Sequence, residues 1–128
     1  RKKKKIDSTK MLSDIIQKIN KYKFKHPATR VFQALRIVIN EELNELEEAL
    51  KSSLEILTKN ARIVVVAFHS LEDKIIKNFF KKNDYKNFND DNKNVFRIIT
   101  KKPITPSPEE IKINPRSKSA KLRVAQKI

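Results

Sequence analysis

The chain has 128 residues, enough for one domain with one modest core. It carries a net charge of +15, no cysteine and no glycine. That excludes a disulfide framework and a thiolate metal site, two histidines are too few for a structural zinc centre, and no apolar run approaches the ~20 residues of a membrane span.

Arg1–Lys5 is a basic run. From Ser8 to Lys21 the apolar residues Met11, Leu12, Ile15, Ile16 and Ile19 recur at helical spacing, with Ser8 or Asp7 as the cap. A long helix is expected from about Pro27 to Leu57, since proline is tolerated in a first turn. Its stripe of Phe32, Leu35, Ile39, Leu43, Leu46, Leu50, Leu54 and Leu57 steps by three or four and reads as core. Some 30 residues is long for a globular helix, so a break near Asn40 is allowed for. Glu41, Glu42, Glu45, Glu47 and Glu48 crowd this helix and would repel phosphate. Adjacent helix positions point in different directions, which argues against a shared metal site.

Thr58–Arg62 is a turn, with Asn60 the best left-handed residue. Ile63–Phe68 is a continuous run rich in β-branched residues and reads as a central parallel strand, buried on both faces. Ser70-Leu71-Glu72-Asp73 has the S-x-x-D form of a capping box opening a helix, whose buried face is Leu71, Ile75, Ile76, Phe79 and Phe80. Asn83–Asn94 reads as a loop and a tolerated insertion, and Val95–Ile99 as a strand. Ser107-Pro108-Glu109-Glu110 starts a helix, and Lys121–Val124 alternates as a half-exposed last strand. Helix, strand, helix in succession points to an α/β layer fold.

The charge is unevenly spread. Residues 1–30 hold 11 Lys/Arg against 2 acids, residues 31–96 hold 10 against 11, and residues 97–128 hold 9 against 2. A neutral centre between two basic ends suggests a polyanion contacted by both.

Two regions carry candidate chemistry. His69 and Ser70 leave the strongest strand at its carboxyl end, where open α/β sheets place ligands. No glycine elbow surrounds Ser70, so the pair is not a hydrolase site. His26, Arg30, Gln33 and Arg36 fall at steps of four, three and three on one polar side of a helix start. There the arginines suit phosphate and Gln33 a base edge; capping and pairing with glutamate suit the same side chains equally well. Lys101, Lys102, Asn114, Arg116, Lys118, Lys121 and Arg123 form a second group for RNA backbone contact. No metal site is expected.

Three stretches in order, HPATRVFQALRIVI at 26–39, AFHSLEDKIIKNFF at 67–80 and NPRSKSAKLRVAQK at 114–127, resemble the MraW family, the ribosomal RNA small-subunit methyltransferases H. The resemblance implies S-adenosylmethionine-dependent methylation of a cytidine N4 in small-subunit ribosomal RNA. It also implies the C-terminal part of a class I, Rossmann-like methyltransferase fold, with residues 1–25 ending a helical insertion and residues 26–128 in the methyltransferase domain. Its chemistry asks for orientation and exclusion of water rather than a covalent residue. His69 and Ser70 then stand beside the acceptor base.

Where the family pattern has arginine this chain has Lys118, which keeps a phosphate contact but not a bidentate fork. A cofactor loop after a first strand needs glycine. The resemblance therefore places that loop upstream, and this chain alone is not expected to hold the cofactor. Expected partners are small-subunit ribosomal RNA or the ribosomal subunit, with no membrane. The expected compartment is the cytoplasm or an organelle matrix. The rival is a non-catalytic RNA-binding or ribosome-associated protein lacking the cofactor loop.

Overall fold

The structure, a computed structural model, describes residues 5–19, 26–88 and 95–128. The first four residues of the basic run, the expected end of the first helix at Lys21, and residues 89–94 of the expected loop lie outside them. The chain divides into two compact units, Arg1–Glu42 and Leu43–Ile128.

In the first unit, α1 (Thr9–Ile19) opens with Ser8 Oγ accepting from the Met11 N–H at 3.2 Å. This is the expected cap. After the His26-Pro27 turn comes α2 (Thr29–Ile39). The single helix expected over 27–57 does not form. It breaks at Asn40–Glu41, where Glu41 takes φ 50°, a left-handed conformation costing roughly 1–2 kcal/mol outside glycine. The Glu42 carboxylate braces the break, accepting from Arg36 at 2.8 Å and from the Asn40 amide at 3.2 Å.

The leucine stripe is therefore interrupted. Leu35 is 42% and Ile39 75% exposed. On α3 (Glu42–Ile56) the pattern holds, with Leu50 buried and Leu46 and Leu54, then Leu57 beyond the helix, packed around it in the second unit.

That unit is mixed α/β. Its sheet has three strands, β1 (Arg62–Ala67), β2 (Phe96–Ile98) and β3 (Lys121–Lys127), in the order β1-β3-β2 with both pairings antiparallel. The parallel pairing expected for 63–68 is not found among the described residues. Among the described residues β1 pairs only with β3, in antiparallel register Val65↔Arg123, and β3 is the middle strand of the three. A run of β-branched residues specifies extended backbone but not the direction or number of its neighbours. Ile63 and Val65 pack on the core, whereas Val64 and Val66 are exposed. Asn60 takes φ 70°, as expected of it.

The core lies on one face of this sheet. Leu50, Ala67, Ile76, Phe80, Phe96 and Ala125 are buried together. Phe80 from α4 (Ser70–Lys82) meets Phe96 edge to face at 5.8 Å, and Phe79 stands 6.2 Å from each ring. Aromatic pairs in such geometries add about 0.5–1.5 kcal/mol beyond their burial. Lys127 is also buried. Its ammonium donates to the Leu54 carbonyl, and burial pushes its pKa below the usual lysine value. Ser107 caps α5 (Pro108–Ile113) by accepting from the Glu110 N–H at 3.2 Å, as its sequence predicts.

Candidate nucleic-acid interface

The turn from β1 into α4 is built by reciprocal capping. The cap is His69, not Ser70. Its Nδ1 accepts from the Glu72 N–H at 3.3 Å. Glu72 Oε2 in return accepts from the Phe68 and His69 N–H groups at 2.8 and 3.2 Å. The box expected at Ser70–Asp73 is shifted back by one residue. The reason is what Asp73 does instead. It is buried, and its carboxylate holds Arg123 Nε at 2.7 Å and Lys121 Nζ at 3.1 Å across the sheet. A side chain turned inward to two cations cannot fold back onto its own helix start.

These partners settle the electrostatics. The hydrogen bond from Arg123 holds the Asp73 carboxyl below the usual carboxylate range, against an opposing push from burial, with Lys121 adding to the effect. The His69 side chain is 9% exposed. With Nδ1 accepting, the neutral ring carries its hydrogen on Nε2. That atom lies 3.2 Å from Glu72 Oε1, yet off any hydrogen-bond direction, so it is buried without an acceptor among the described residues. Ser70 is exposed at the first position of the helix.

The basic candidates fall into separate groups. Near the start of α2, His26 Nδ1 accepts from the Ala28 N–H at 3.3 Å, and the ring's other nitrogen lies 2.6 Å from the Gln17 amide. Arg30 and Arg36 are exposed and Gln33 is half-buried; Arg36 is engaged by Glu42. In the second unit, Lys101 and Lys102 follow β2 and are exposed. The Asn114 carbonyl accepts from Ser117 N–H and Oγ at 3.0 and 2.8 Å. Buried Ser117 thereby anchors a 3-10 helix over Pro115–Ser119 that leaves Arg116 and Lys118 exposed. Arg123 differs from the rest. At 7% exposure and committed to Asp73, it presents no free fork to a phosphate. Its partner lies 50 residues away in sequence, so no local pattern announces the pair.

The MraW methylase family model matches residues 1–128, the whole chain. Among similar proteins is a ribosomal RNA small subunit methyltransferase H of Sulfurihydrogenibium sp. (strain YO3AOP1). It is 52% identical over all of this chain and 43% of its own length. Proteins of the same name from Heliobacterium mobile and Rickettsia typhi are 54% and 49% identical. Those alignments cover 80% and 100% of this chain but only 36% and 46% of the relatives. The chain thus spans less than half the length of these relatives.

Proposed function

The chain belongs to the MraW methylase family, and from that premise we propose that the protein it forms part of is an S-adenosylmethionine-dependent methyltransferase of small-subunit ribosomal RNA acting on a cytidine N4. The whole-chain family match carries this assignment. In it, residues 1–25 end a helical insertion, residues 26–128 are the C-terminal part of a class I methyltransferase domain, and the protein works in the cytoplasm or an organelle matrix.

The described residues do not form a glycine-lined cofactor cradle. There is no glycine, and the Phe68 and His69 N–H groups at the carboxyl end of β1 are already taken by Glu72. Cofactor binding is therefore assigned to the rest of the protein. This part contributes RNA contacts and a rigid wall. Exposed Arg30, Arg116, Lys118, Lys101 and Lys102 meet phosphate, with His26, Gln33, Arg36, Asn114 and Lys121 at the edges of the same groups. Arg123 serves the sheet. His69 is a positioning residue: its capping box fixes the turn on which exposed Ser70 faces the acceptor base.

The test is methylation of isolated small ribosomal subunits by the full-length protein, read by nucleoside mass spectrometry. N4-methylcytidine appearing at one site is the expected product. Methyl transfer to another nucleoside, or RNA binding with no transfer, would overturn the assignment; the latter favours the non-catalytic alternative.

A further inference from the structure

A second basic surface joins cations of the central part of the chain to Arg97 and Lys101 of its basic C-terminal part. A cavity of about 410 Å3 opens between the C-terminal half of α4, the 3-10 helix at Tyr85–Asn87 and β2 with the residues that follow it. Five exposed cations line it: Lys77, Lys81, Lys86, Arg97 and Lys101. None of the five makes an ion pair with a carboxylate among the described residues. Asp84 is the one carboxylate in the lining among the described residues, and it accepts from the Lys86 N–H. Arg123 also reaches the wall, but its charge is balanced by Asp73.

Lysines at a helix C-terminus are expected from the dipole alone. That accounts for Lys81. It does not account for Lys86, Arg97 and Lys101, which lie outside the helix and converge on the same cavity.

Among these cations stands an aromatic face. Tyr85 is 39% exposed, with the Arg97 guanidinium carbon 5.6 Å and Lys86 Nζ 6.0 Å from its ring centroid. The segment that carries the ring is tied down on both sides. The Asn87 amide donates to the Lys81 carbonyl at 2.6 Å, and the Phe96 N–H donates to the Asn83 carbonyl at 2.7 Å. An exposed ring with a guanidinium over its face, set among cations that make no ion pair among the described residues, is the pairing of platform and charge that single-stranded nucleic acid uses. Bases stack on the one and phosphates meet the other.

We propose that this pocket binds a single-stranded segment of RNA, one base stacking on Tyr85 and Arg97 and the flanking phosphates held by Lys77, Lys81, Lys86 and Lys101. It rests on the ribosomal RNA substrate proposed above and adds a contact site beyond the β1–α4 turn.

The experiment measures binding of a short fluorescein-labelled single-stranded RNA to the full-length protein across a salt series. Each phosphate contact on a single strand contributes about 0.7 to the slope of log affinity against log salt. The triple variant Lys81→Gln, Lys86→Gln, Lys101→Gln should therefore flatten the slope by about 2. Lys51→Gln, on α3 and already paired with Glu48, should leave it unchanged. Tyr85→Ala should weaken binding roughly fivefold or more, and Tyr85→Phe, which keeps the stacking face, should restore it.

A wild-type slope in the triple variant overturns the phosphate contacts. Wild-type affinity in Tyr85→Ala, or equal competition by duplex RNA of the same sequence, overturns the stacking platform. The lysines are exposed, so the triple variant tests the pocket even if Tyr85→Ala unfolds. Binding is read without methyl transfer. A protein that binds through the pocket but never methylates would fail as a methyltransferase and keep the site, and the converse would lose only the site.

Discussion

The two ends of α4 have opposite chemistry. At its start, Glu72 closes on the backbone of Phe68 and His69, the His69 ring closes on Glu72, and Asp73 is shared between Arg123 and Lys121. Apart from His69 Nε2, the polar side-chain groups named there find their partners within the fold. At its finish, Lys77 and Lys81 join Lys86, Arg97 and Lys101 around Tyr85, and among the described residues only Asp84 brings a carboxylate to them. Acids at a helix N-terminus and bases at its C-terminus both suit the dipole, so the sorting alone distinguishes nothing. The distinction lies in satisfaction. A group whose partners are internal contributes to stability, and a charged group left in solvent contributes little to stability and is available to a partner.

Substitutions along α4 should separate stability from binding accordingly. The largest loss belongs to Asp73→Ala. Removing one member of a buried pair leaves an uncompensated charge, here on Arg123, and costs about 3–5 kcal/mol. Denaturant unfolding of the full-length protein measures it. The same pair predicts a pH dependence. Because the folded Asp73 carboxyl titrates below its usual value, its stabilisation is complete above about pH 4 and is lost as pH falls through the lower folded value. The Asp73→Ala protein should lack that part of the acid limb. An acid limb identical to wild type would show that the pair carries no linkage.

A smaller loss is expected from His69→Ala, about 0.5–2 kcal/mol for a missing cap. His69→Asn supplies another good capping side chain and should recover most of it. Single-turnover methylation then sharpens the assignment. If His69 only positions the turn, the asparagine variant recovers turnover along with stability. Recovered stability without recovered turnover would instead place the imidazole against the base.

The smallest effect belongs to the far end. Lys81→Gln and Lys86→Gln should each change stability by no more than about 0.5 kcal/mol, as exposed substitutions do, while weakening RNA binding. Thermal unfolding beside the salt series checks this. A destabilisation of the size expected at His69 would show that these lysines hold the fold rather than a ligand.

Much of the local structure was legible because its causes lie within a few residues. Ser8 and Ser107 cap their helices from positions three residues before the N–H groups they accept from. Asn60 takes the left-handed turn, and the leucines of α3 keep helical spacing onto the core. The capping box after β1 was legible only to within one residue, because Ser70 and His69 are equally placed by spacing, and Asp73, drawn inward by Arg123, leaves Glu72 as the acid that closes it. The remainder depended on contacts that sequence spacing does not encode. That 63–67 pairs antiparallel along one edge was set by β3 arriving from some 60 residues later. The Asp73–Arg123 pair spans 50 residues, and the Tyr85 pocket gathers cations from an α-helix, a 3-10 helix, a strand and a loop that look unrelated along the chain. By itself, the sequence determined where helices begin, which faces are apolar and that the chain is strongly basic, since each follows from composition or from neighbours one to four positions away. Only the tertiary structure decided which charges are neutralised inside and which are left for a partner, because burial and counter-charge are properties of distance in space.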